Sequence, residues 1–452
     1  MDWKLRSRVA RWWAPRGNDG QVECSLCPRH CKPRVSHPGF CGVRTNIDGK
    51  LHTLNYGKSV QASVEFIETE AVYHYNPGAR ILCLGNIGCN MSCSYCQNWE
   101  TSQFRHVEPE FVFSYEPEQI VEIAARNDIG VLSWTYNDPV VWHEFVMDTA
   151  RIAAKQGIKN LFKSAFYIEE EPARELCEVI DIFSVSLKSL DPDFYTKHAR
   201  GRMEPVLKAI KIAHASGRHL EISNLIVTGL NDKEEDIRAV ARWIVNELGP
   251  EIPLHFVRFH PAYKYTDQPR TPLETMNLAY RVAREEGVRF PYLGNLYEQG
   301  VSDTHCTSCA ALLVQRFGVS TEIVGLDDEG RCLACLAPGS ITHPRGLSTS
   351  KPMSLPAMFA QGHKRFDWTS EVNSLHIQCE GDDAESILCQ VSREPSGKTH
   401  SVQLGAGLSR TLVARASPEE TAVEIRWDAN RGLKFLPLLD RAHFPVTSSL
   451  LA

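Results

Sequence analysis

The chain contains 452 residues, of which 43% are hydrophobic and 23% are charged, and its formal net charge is −6. This length exceeds one hydrophobic core and predicts roughly two to four structural units. The negative charge and the lack of any basic run argue against nucleic acid as a partner. No apolar run reaches the roughly 18 residues that a membrane span needs, so we expect no spanning helix.

The first 22 residues are basic and include Trp3, Trp12 and Trp13. An interfacial amphipathic helix is one interpretation, and a frayed basic tail or docking helix is the preferred one. The segment lacks the apolar stretch of a secretory signal. Most of the fifteen cysteines are spaced as metal ligands, and we therefore expect a reducing, cytoplasmic location.

The first cysteine cluster lies in a predicted metal-binding module, residues 23–56. This loop is rich in Pro and Gly and has too little apolar surface to fold by burial alone, so thiolates on a metal would stabilise it. Zinc and an auxiliary 4Fe–4S cluster suit the spacing equally well. The four candidate ligands are Cys24, Cys27, Cys31 and Cys41.

A second cluster, GCNMSCSYCQNW at residues 88–99, holds three thiols close together in the chain, those of Cys89, Cys93 and Cys96. A structural zinc or an ordinary iron–sulfur cluster has four protein ligands. Three ligands leave one metal position open, which implies chemistry at the metal. The alternative is a fragment of a zinc site that a distant ligand completes.

Residues 57–300 alternate β-branched runs with helical patterns, which predicts a parallel sheet with crossover helices, as a full or partial (β/α) barrel. Seven strands are predicted, at residues 80–88, 130–137, 159–165, 181–188, 219–227, 253–260 and 288–294. Two of the helices, at residues 232–248 and 272–286, have predicted N-terminal caps. These caps are Asp232 with Glu235, and Thr271 with Pro272 and Glu274.

Polar side chains are concentrated where these strands end, and in such barrels reactive groups gather at the carboxyl ends of strands. We therefore expect them to meet at one rim beside the cysteine loop. The set comprises Asn137, Asp138, Lys163, Ser164, Ser186, Lys188, Glu221, Asn224, His255, Arg258, His260 and Asn295.

Two CxxC knuckles follow at residues 301–345 and offer four ligands, Cys306, Cys309, Cys332 and Cys335. Paired knuckles predict a zinc ribbon, and a rubredoxin-like single iron is the weaker alternative. Residues 346–452 then show short alternating strands, which predict a β-sandwich-like domain. The cysteines outside the clusters are interpreted as buried hydrophobic residues, namely Cys83, Cys177, Cys379 and Cys389.

From about residue 24 to 340 the sequence resembles the AmmeMemoRadiSam-system radical SAM proteins, relatives of the pyruvate formate-lyase activating enzymes. The resemblance rests on CSLCPRHC with GFCGVR, YHYNPG, GCNMSCSYCQNWETSQ, TYNDP, FYTKHARG, NLIVTGLND and IPLHFVRFHPAYKYTDQPRTP. It implies that Cys89, Cys93 and Cys96 hold a 4Fe–4S cluster whose fourth iron binds S-adenosylmethionine (SAM). An electron from this cluster would split SAM into methionine and a 5′-deoxyadenosyl radical, which abstracts hydrogen from a substrate.

The resemblance implies further SAM contacts. Tyr95 would lie beside the adenine, which the backbone of residues 225–228 would line. Asn137 and Asp138 stand where relatives place the group that faces the amino end of SAM.

Lys188 and His255 match positions near the methionine and ribose parts of SAM, although a core histidine satisfied by a backbone group is an alternative for His255. Relatives usually carry TNG in the third strand, where this chain has Lys163-Ser164-Ala165. They carry DLK in the fourth strand, where this chain has Ser186-Leu187-Lys188. In the pyruvate formate-lyase activating enzyme the replaced Asp and Thr help to hold a monovalent cation beside the SAM carboxylate. We hypothesise that the Lys163 ammonium replaces that cation, and a solvent-directed lysine is the alternative.

These patterns favour a radical enzyme that acts on a small molecule or peptide and receives electrons from a flavodoxin or ferredoxin. A glycyl-radical activase with a protein partner is the second hypothesis. A metal-stabilised interaction protein is the weakest, because a scaffold has no use for an open metal position. Arg258, His260, Tyr263 and Lys264 would either contact an anionic group of the substrate or form a salt-bridged rim.

Overall fold

The computed structural model describes residues 7–109, 112–296 and 300–342, and further along the chain it describes seven strands between residues 362 and 439. Contacts divide the chain into two units, Met1–Thr349 and Ser350–Ala452. Trp3, the predicted linker near residue 346 and the side chains of Cys379 and Cys389 lie outside the described part.

The N-terminal region is made of short antiparallel strands. They are β1 (Arg8–Val9), β2 (Trp13–Arg16), β3 (Gln21–Cys24), β4 (Arg44–Ile47) and β5 (Lys50–Thr53). β5 pairs with both β1 and β4, and β2 pairs with β3. The prediction of a tail or docking helix is therefore wrong for residues 8–16, because their backbone groups are used in these sheets.

An eight-stranded sheet forms the centre of the first unit. Its strands are β7 (Gln61–Phe66), β8 (Arg80–Gly85), β10 (Val131–Thr135), β11 (Lys159–Ser164), β12 (Ile182–Ser186), β13 (His219–Ile226), β14 (Leu254–Arg258) and β15 (Pro291–Gly294). A separate short ribbon pairs β6 (Lys58–Ser59) with β9 (Phe113–Ser114). The sheet order runs from β15 down to β10, then β8 and β7. β7 is antiparallel to β8 and the other pairs are parallel, so the predicted partial barrel with its seven strands is confirmed.

Helices cover the outside of this sheet. They are α1 (Trp99–Ser102), α2 (Pro117–Arg126), α3 (His143–Lys155), α4 (Glu170–Val179), α5 (Pro192–Phe194), α6 (Met203–Ala215), α7 (Glu234–Glu247) and α8 (Leu273–Glu285). Short helical turns also occur at Ile67–Glu70, Phe104–His106, Pro139–Trp142 and Tyr195–Ala199. α7 is amphipathic and buries one stripe at helical spacing, Ile237, Val240, Ala241 and Ile244.

Both predicted helix caps are wrong. α7 follows Lys233 and α8 follows Pro272, and neither start has a side-chain cap. The Thr271 hydroxyl instead donates to the Ile226 carbonyl (2.6 Å) and accepts from the Phe259 amide (2.9 Å). The Thr271 hydroxyl is therefore used in a tertiary contact and does not cap the N-terminus of α8.

The two faces of the sheet differ in polarity because side chains alternate along each strand. In β10, Leu132 and Trp134 belong to the main hydrophobic core. Ser133 and Thr135 donate hydrogen bonds to the buried carboxylate of Glu70, at 3.1 and 2.8 Å. The inner face of β10 therefore carries polar groups, and they meet Glu70 from the segment between β7 and β8. An apolar cluster that includes Val131 and Ile67 packs beside them.

A small three-stranded sheet follows β15, made of β16 (Thr304–His305), β17 (Leu312–Phe317) and β18 (Ser320–Ile323). The fully buried Arg316 joins it to the barrel by donating to the Tyr73 carbonyl (2.6 Å). It also donates to Thr304 Oγ1 (2.7 Å) and the Ser302 carbonyl (3.1 Å).

The second unit is all-β in its described part. Its strands are β19 (Gly362–Asp367), β20 (Val372–Glu380), β21 (Ile387–Glu394), β22 (Thr399–Leu404), β23 (Arg410–Ala414), β24 (Ala422–Trp427) and β25 (Gly432–Leu439). They form antiparallel sheets ordered β19-β24-β21-β22 and β23-β20-β25. The all-β prediction for this region is confirmed.

Candidate active site

The loop with three cysteines follows β8 at the carboxyl end of the barrel. Its backbone is held against the helical turn Tyr195–Ala199, because the Ser92 amide donates to the Ala199 carbonyl (3.1 Å) and the Ser94 amide to the His198 carbonyl (2.8 Å). All three cysteines of this loop, Cys89, Cys93 and Cys96, are half-buried.

Gly88 and Asn137 fix the start of this loop. Gly88 has a φ of +83°, and a Cβ there would lie 2.7 Å from the Cys41 carbonyl oxygen, so only glycine fits. Asn137 donates to the carbonyls of Asn86 (2.6 Å) and Gly88 (3.0 Å) and accepts from the Asn86 amide (3.1 Å). Its amide also accepts from Asn86 Nδ2, so it is fully used within the loop. These bonds give Asn137 a role in shaping the loop, and its contact with the amino end of SAM stays a prediction.

The three thiols lie in a site of strong electrostatic coupling. Burial raises the pKa of Cys89 well above its usual value, and the negative charge of Asp138 raises it further. Burial also raises the pKa of Cys96, and the neighbouring Cys93 adds to this shift. Such thiols would become thiolates on a bound cation, which offsets their mutual repulsion.

Lys188 supplies a positive charge to the same site. Burial acts to lower its pKa, but the negative charges of Cys93, Tyr195, Cys89 and Cys96 raise it overall. Its ammonium lies 6.0 Å from the centroid of the Tyr95 ring. Lys188 is thus placed beside the cysteine loop, as expected.

Asp138 is buried at the same rim, and its carboxylate is bonded within the protein. Oδ1 accepts from Ser164 Oγ (2.8 Å) and the Val140 amide (3.1 Å), and Oδ2 accepts from the Ala165 amide (3.1 Å). Burial raises its pKa. Asp138 therefore joins the ends of β10 and β11 close to Cys89.

Tyr95 and the segment after β13 come together, as expected. Tyr95 shares a buried apolar cluster with Phe194, Val227 and Phe259, and the Phe194 ring centroid is 5.9 Å from its own. Two buried hydroxyls at this place, Ser94 Oγ and Thr228 Oγ1, have no hydrogen-bond partner in the described part of the chain. Orphaned groups beside an apolar wall fit a bound ligand with polar edges.

Lys163 points into the barrel, which rules out the solvent-directed alternative. Its ammonium donates to three oxygens, those of the Glu70 carbonyl (3.1 Å), Ser184 Oγ (3.0 Å) and Ser223 Oγ (3.0 Å). Ser186 joins this group, with its hydroxyl 3.2 Å from that of Ser223. Burial lowers the pKa of Lys163 to about 8, although Glu70 partly opposes the shift.

His255 lies within its strand and not at the rim, and its contact with SAM stays a prediction. It is the second residue of β14, and its Nε2 lies 2.6 Å from Oε2 of Glu221. Tyr73 packs edge-on against its ring at 4.5 Å. This geometry favours the core-histidine alternative, with a carboxylate in place of a backbone group as the partner of the ring.

The predicted RFHPAYK contacts divide into two groups. Tyr263 stacks on Trp99 of the cysteine loop at 5.3 Å, and the Lys264 amide donates to the Ser94 carbonyl (2.9 Å). Arg258 donates to the Thr271 carbonyl, and His260 accepts from Arg270. Among the described residues, none of these four side chains forms a salt bridge with a carboxylate, so the salt-bridged rim is not observed.

The two four-cysteine sets differ in geometry. In the C-terminal set, Cys306 and Cys335 Sγ lie 3.7 Å apart and Cys309 and Cys332 Sγ lie 3.6 Å apart, with all four sulfurs within 4.8 Å. Within the described part of the chain the N-terminal cysteines do not form so tight a set. They nevertheless line one cavity, together with Arg29, Arg44 and Asn90.

Sequence reasoning missed two of these residues. Glu70 is buried between β8, β10 and β11 and follows no recognisable motif. Arg29, whose side chain donates to the Asn90 carbonyl (2.5 Å), lies within CSLCPRHC but was not singled out as a site residue. Glu221 was noted, but it lies low in the barrel and binds the Tyr73 and His74 amides at 2.9 and 2.7 Å. The polar residues of YHYNPG were the available signal.

Among the helices in the described part of the chain, none combines the length and apolar character needed to cross a membrane.

Comparison with known proteins places this site in a family. Residues 86–244 match the model of the Radical SAM superfamily, a stretch that starts just before the cysteine loop and runs into α7. The chain is 40% identical over 319 residues to the uncharacterized protein MJ0808 of Methanocaldococcus jannaschii, covering 70% of this chain and 95% of that protein.

Other similarities are more distant. The chain is 25% identical over 178 residues to the pyruvate formate-lyase-activating enzyme of Clostridium pasteurianum, covering 38% of this chain and 71% of that enzyme. A radical SAM methyltransferase structure from Sphaerobacter thermophilus covers 64% of this chain and 76% of its own, with 14% identity and a TM-score of 0.39. Its three-cysteine loop, its match to the superfamily model and its 40% identity to the protein from Methanocaldococcus jannaschii show that the chain belongs to the radical SAM superfamily.

Proposed function

We propose that the protein is a radical SAM oxidoreductase that abstracts a hydrogen atom from a small-molecule or peptide substrate. The observation that supports this proposal most is that the three cysteines and the half-buried Lys188 lie together at the carboxyl end of the barrel. Cys89, Cys93 and Cys96 would hold a 4Fe–4S cluster, which, with SAM bound, supplies the 5′-deoxyadenosyl radical. The donor set fits such a group because three thiols leave one iron free for SAM.

The residues around the loop would bind and orient SAM. Lys188 would place a positive charge against the anionic cluster, and Tyr95 with Val227 would form an apolar wall for the adenine. The unpartnered hydroxyls of Ser94 and Thr228 would bond to polar atoms of the ligand. A bound substrate would have to close this half-buried site to water, so that a reactive radical is protected from side reactions.

The test is SAM cleavage by anaerobically reconstituted protein. With dithionite and SAM, the wild type should show the absorption of a 4Fe–4S cluster and release 5′-deoxyadenosine. Cys93→Ala should abolish the release, whereas Cys177→Ala, which removes a buried thiol on α4, should retain it. Release of 5′-deoxyadenosine by Cys93→Ala would overturn the proposal.

A second candidate is an activase that places a glycyl radical on a partner protein. It is favoured by the names of several relatives, which are the activating enzymes of pyruvate formate-lyase, benzylsuccinate synthase and (2S)-3-sulfopropanediol dehydratase. Mixing the loaded protein with a glycyl-radical enzyme encoded beside it should give the electron paramagnetic resonance (EPR) signal of a glycyl radical. Without that signal, and with a modified small molecule or peptide, the first candidate stands.

We further propose that Cys306, Cys309, Cys332 and Cys335 bind a structural zinc. Tetrahedral zinc–sulfur bonds of about 2.3 Å require sulfurs about 3.8 Å apart. The observed separations of 3.7 and 3.6 Å fit this requirement. We also propose a cytoplasmic location, because the cysteine ligands of the zinc and of the iron–sulfur cluster must stay reduced, as thiols do in that compartment.

A further inference from the structure

The N-terminal cysteines surround a small closed space in the loop between β3 and β4. Cys24, Cys27 and Cys41 are buried and Cys31 is partly buried. All four line one cavity, and the Phe40 amide donates to Cys31 Sγ at 3.4 Å. Four cysteines that line one cavity, one of them bonded by a backbone amide, form a donor set suited to a metal.

Sulfur spacing distinguishes a single ion from a cluster. Thiolates on one zinc converge on one point, as the C-terminal cysteines do. Thiolates on a 4Fe–4S cluster each bind a different iron and therefore lie further apart. The wider spacing of the N-terminal set, compared within the described residues, matches the second arrangement.

An unpartnered donor supports the same assignment. Arg44 lines the cavity and is 2% exposed, and its Nε–H has no acceptor in the described part of the chain. Its other nitrogens are occupied, since Nη1 donates to both oxygens of Glu144 at 2.9 and 3.1 Å. The sulfides of an iron–sulfur cluster are additional acceptors that a zinc ion lacks.

The cavity is next to the SAM-cluster loop. Asn90, the residue after Cys89, lines it, and the carbonyl of Cys41 packs against Gly88, the residue before Cys89. Arg29, another lining residue, donates to the Asn90 carbonyl (2.5 Å). Cys89 is therefore flanked on both sides by contacts with the N-terminal set.

Arg29 also provides a charge that favours reduction. Its guanidinium stacks 3.4 Å over the Phe40 ring, and no carboxylate lies within ion-pair distance of it among the residues described. It lines the same cavity as Cys31. An unneutralised cation beside a cluster stabilises the reduced state, which carries one more negative charge.

We infer that Cys24, Cys27, Cys31 and Cys41 bind a second iron–sulfur cluster, of the 4Fe–4S type, that passes electrons to the centre at Cys89, Cys93 and Cys96. A low-potential donor of the flavodoxin or ferredoxin class gives one electron to this cluster. The electron then moves to the SAM cluster, the N-terminal cluster returns to its oxidised state, and no bond or proton changes place. The relay role rests on the proposed function, whereas the metal assignment does not.

Metal analysis and EPR test the assignment directly. The anaerobically reconstituted wild type should contain about eight irons per chain, four from each cluster, and one zinc. Cys27→Ala should lose about half of the iron and keep its zinc, while Cys177→Ala should keep both. A wild type with about four irons and two zinc ions, or a Cys27→Ala variant with full iron, would overturn the inference.

Three further variants separate this inference from the proposed function and from misfolding. Cys93→Ala should retain the N-terminal cluster and its EPR signal, and iron at full content in this variant would contradict the proposed function alone. Arg29→Gln keeps every thiol and should lower the midpoint potential of the N-terminal cluster, with a smaller shift for Arg29→Lys. Unchanged midpoint potentials in both Arg29 variants would contradict the contribution of Arg29.

Magnetic coupling between the two reduced clusters should broaden the wild-type EPR spectrum, and an uncoupled spectrum would rule out the relay.

Discussion

The imidazole Nε2 of His255 lies 2.6 Å from the carboxylate of Glu221, on neighbouring strands near the amino end of the barrel. The same carboxylate binds the Tyr73 and His74 amides and lies 2.9 Å from His219 Nε2. These partners hold the pKa of Glu221 well below its usual value even though burial opposes this. The pair is therefore a buried anchor for the segment that fills the barrel.

Glu221→Gln should destabilise the protein by about 3 kcal/mol, because it disrupts the buried contacts between this carboxylate and the rings of His219 and His255. Urea denaturation would measure the loss. Glu122→Gln, an exposed residue on α2, is the control and should change stability by less than about 0.5 kcal/mol. His255→Asn should lower stability with little effect on SAM affinity, and a large loss of affinity in a stable variant would return His255 to the active site.

The free energy of unfolding should decrease as the pH is lowered from about 6.5 to 5, because His74 and His143 stay neutral in the folded protein. Burial lowers the pKa of His74 to about 3 and that of His143 to about 4. Since the unfolded chain takes up these protons near pH 6.5, each histidine costs about 2 kcal/mol at pH 5 relative to pH 8.

His143→Leu isolates one of these contributions. The groups around His143 are Glu144, Glu175, Arg44 and Arg11, and the leucine removes the titrating ring without removing them. The difference in unfolding free energy between pH 8 and pH 5 should shrink by about 2 kcal/mol in the variant. An unchanged difference would show that His143 is protonated in the folded protein.

Lys163→Ala should make SAM cleavage depend on added potassium or sodium. The substitution leaves three oxygens, of Glu70, Ser184 and Ser223, around a space that held an ammonium group. A monovalent cation suits such oxygens. The measurement is 5′-deoxyadenosine release in KCl and in choline chloride at equal ionic strength. A wild type that itself needs potassium or sodium, together with an unaffected variant, would contradict the cation-replacement hypothesis.

Cys332→Ala should release the C-terminal zinc and leave the iron content unchanged. Cys332 is 1% exposed and packs in the small core of this module with Leu313 and Leu326. Loss of the ion should lower the thermal midpoint, since metal binding stabilises so small a module. Mass spectrometry of the metals is the measurement, and one iron in place of zinc in the wild type would identify a rubredoxin-like site.

Thr228→Val tests the adenine wall with a substitution of equal volume. The Thr228 hydroxyl is buried and has no partner among the residues that the structure describes, so a ligand atom is its expected partner. The Kd for SAM should rise roughly tenfold, in line with about 1.4 kcal/mol for one hydrogen bond. Equal affinity in the two proteins, measured by isothermal titration, would place the ligand elsewhere.

The repeating pattern of β-branched runs was sufficient to predict the strands, because parallel strands are buried on both faces and read as continuous apolar segments. β10, β12 and β13 lie inside the predicted ranges. The position of the cysteine loop at the carboxyl end of β8 could also be predicted, because the loop directly follows this strand in the sequence.

The positions of individual side chains along the strands were harder to predict. His255 and Lys163 both sit in strands that end at the rim, yet a difference of a few residues decides whether a side chain reaches the rim or the interior. Asn137 was expected to face a ligand, but its amide bonds to Asn86 and Gly88. Such choices depend on partners distant in the chain, and propensity or spacing does not encode them.

The fit of Gly88 against Cys41 has a consequence for protein engineering. Residues 86–244 could not be transplanted into another protein as a free-standing catalytic cassette, because the turn that presents Cys89 is shaped by a surface from residues 23–56. The same surface reaches the far side of the loop, where Arg29 bonds to the carbonyls of Asn90 and Arg200. A working chimera would have to carry both stretches together.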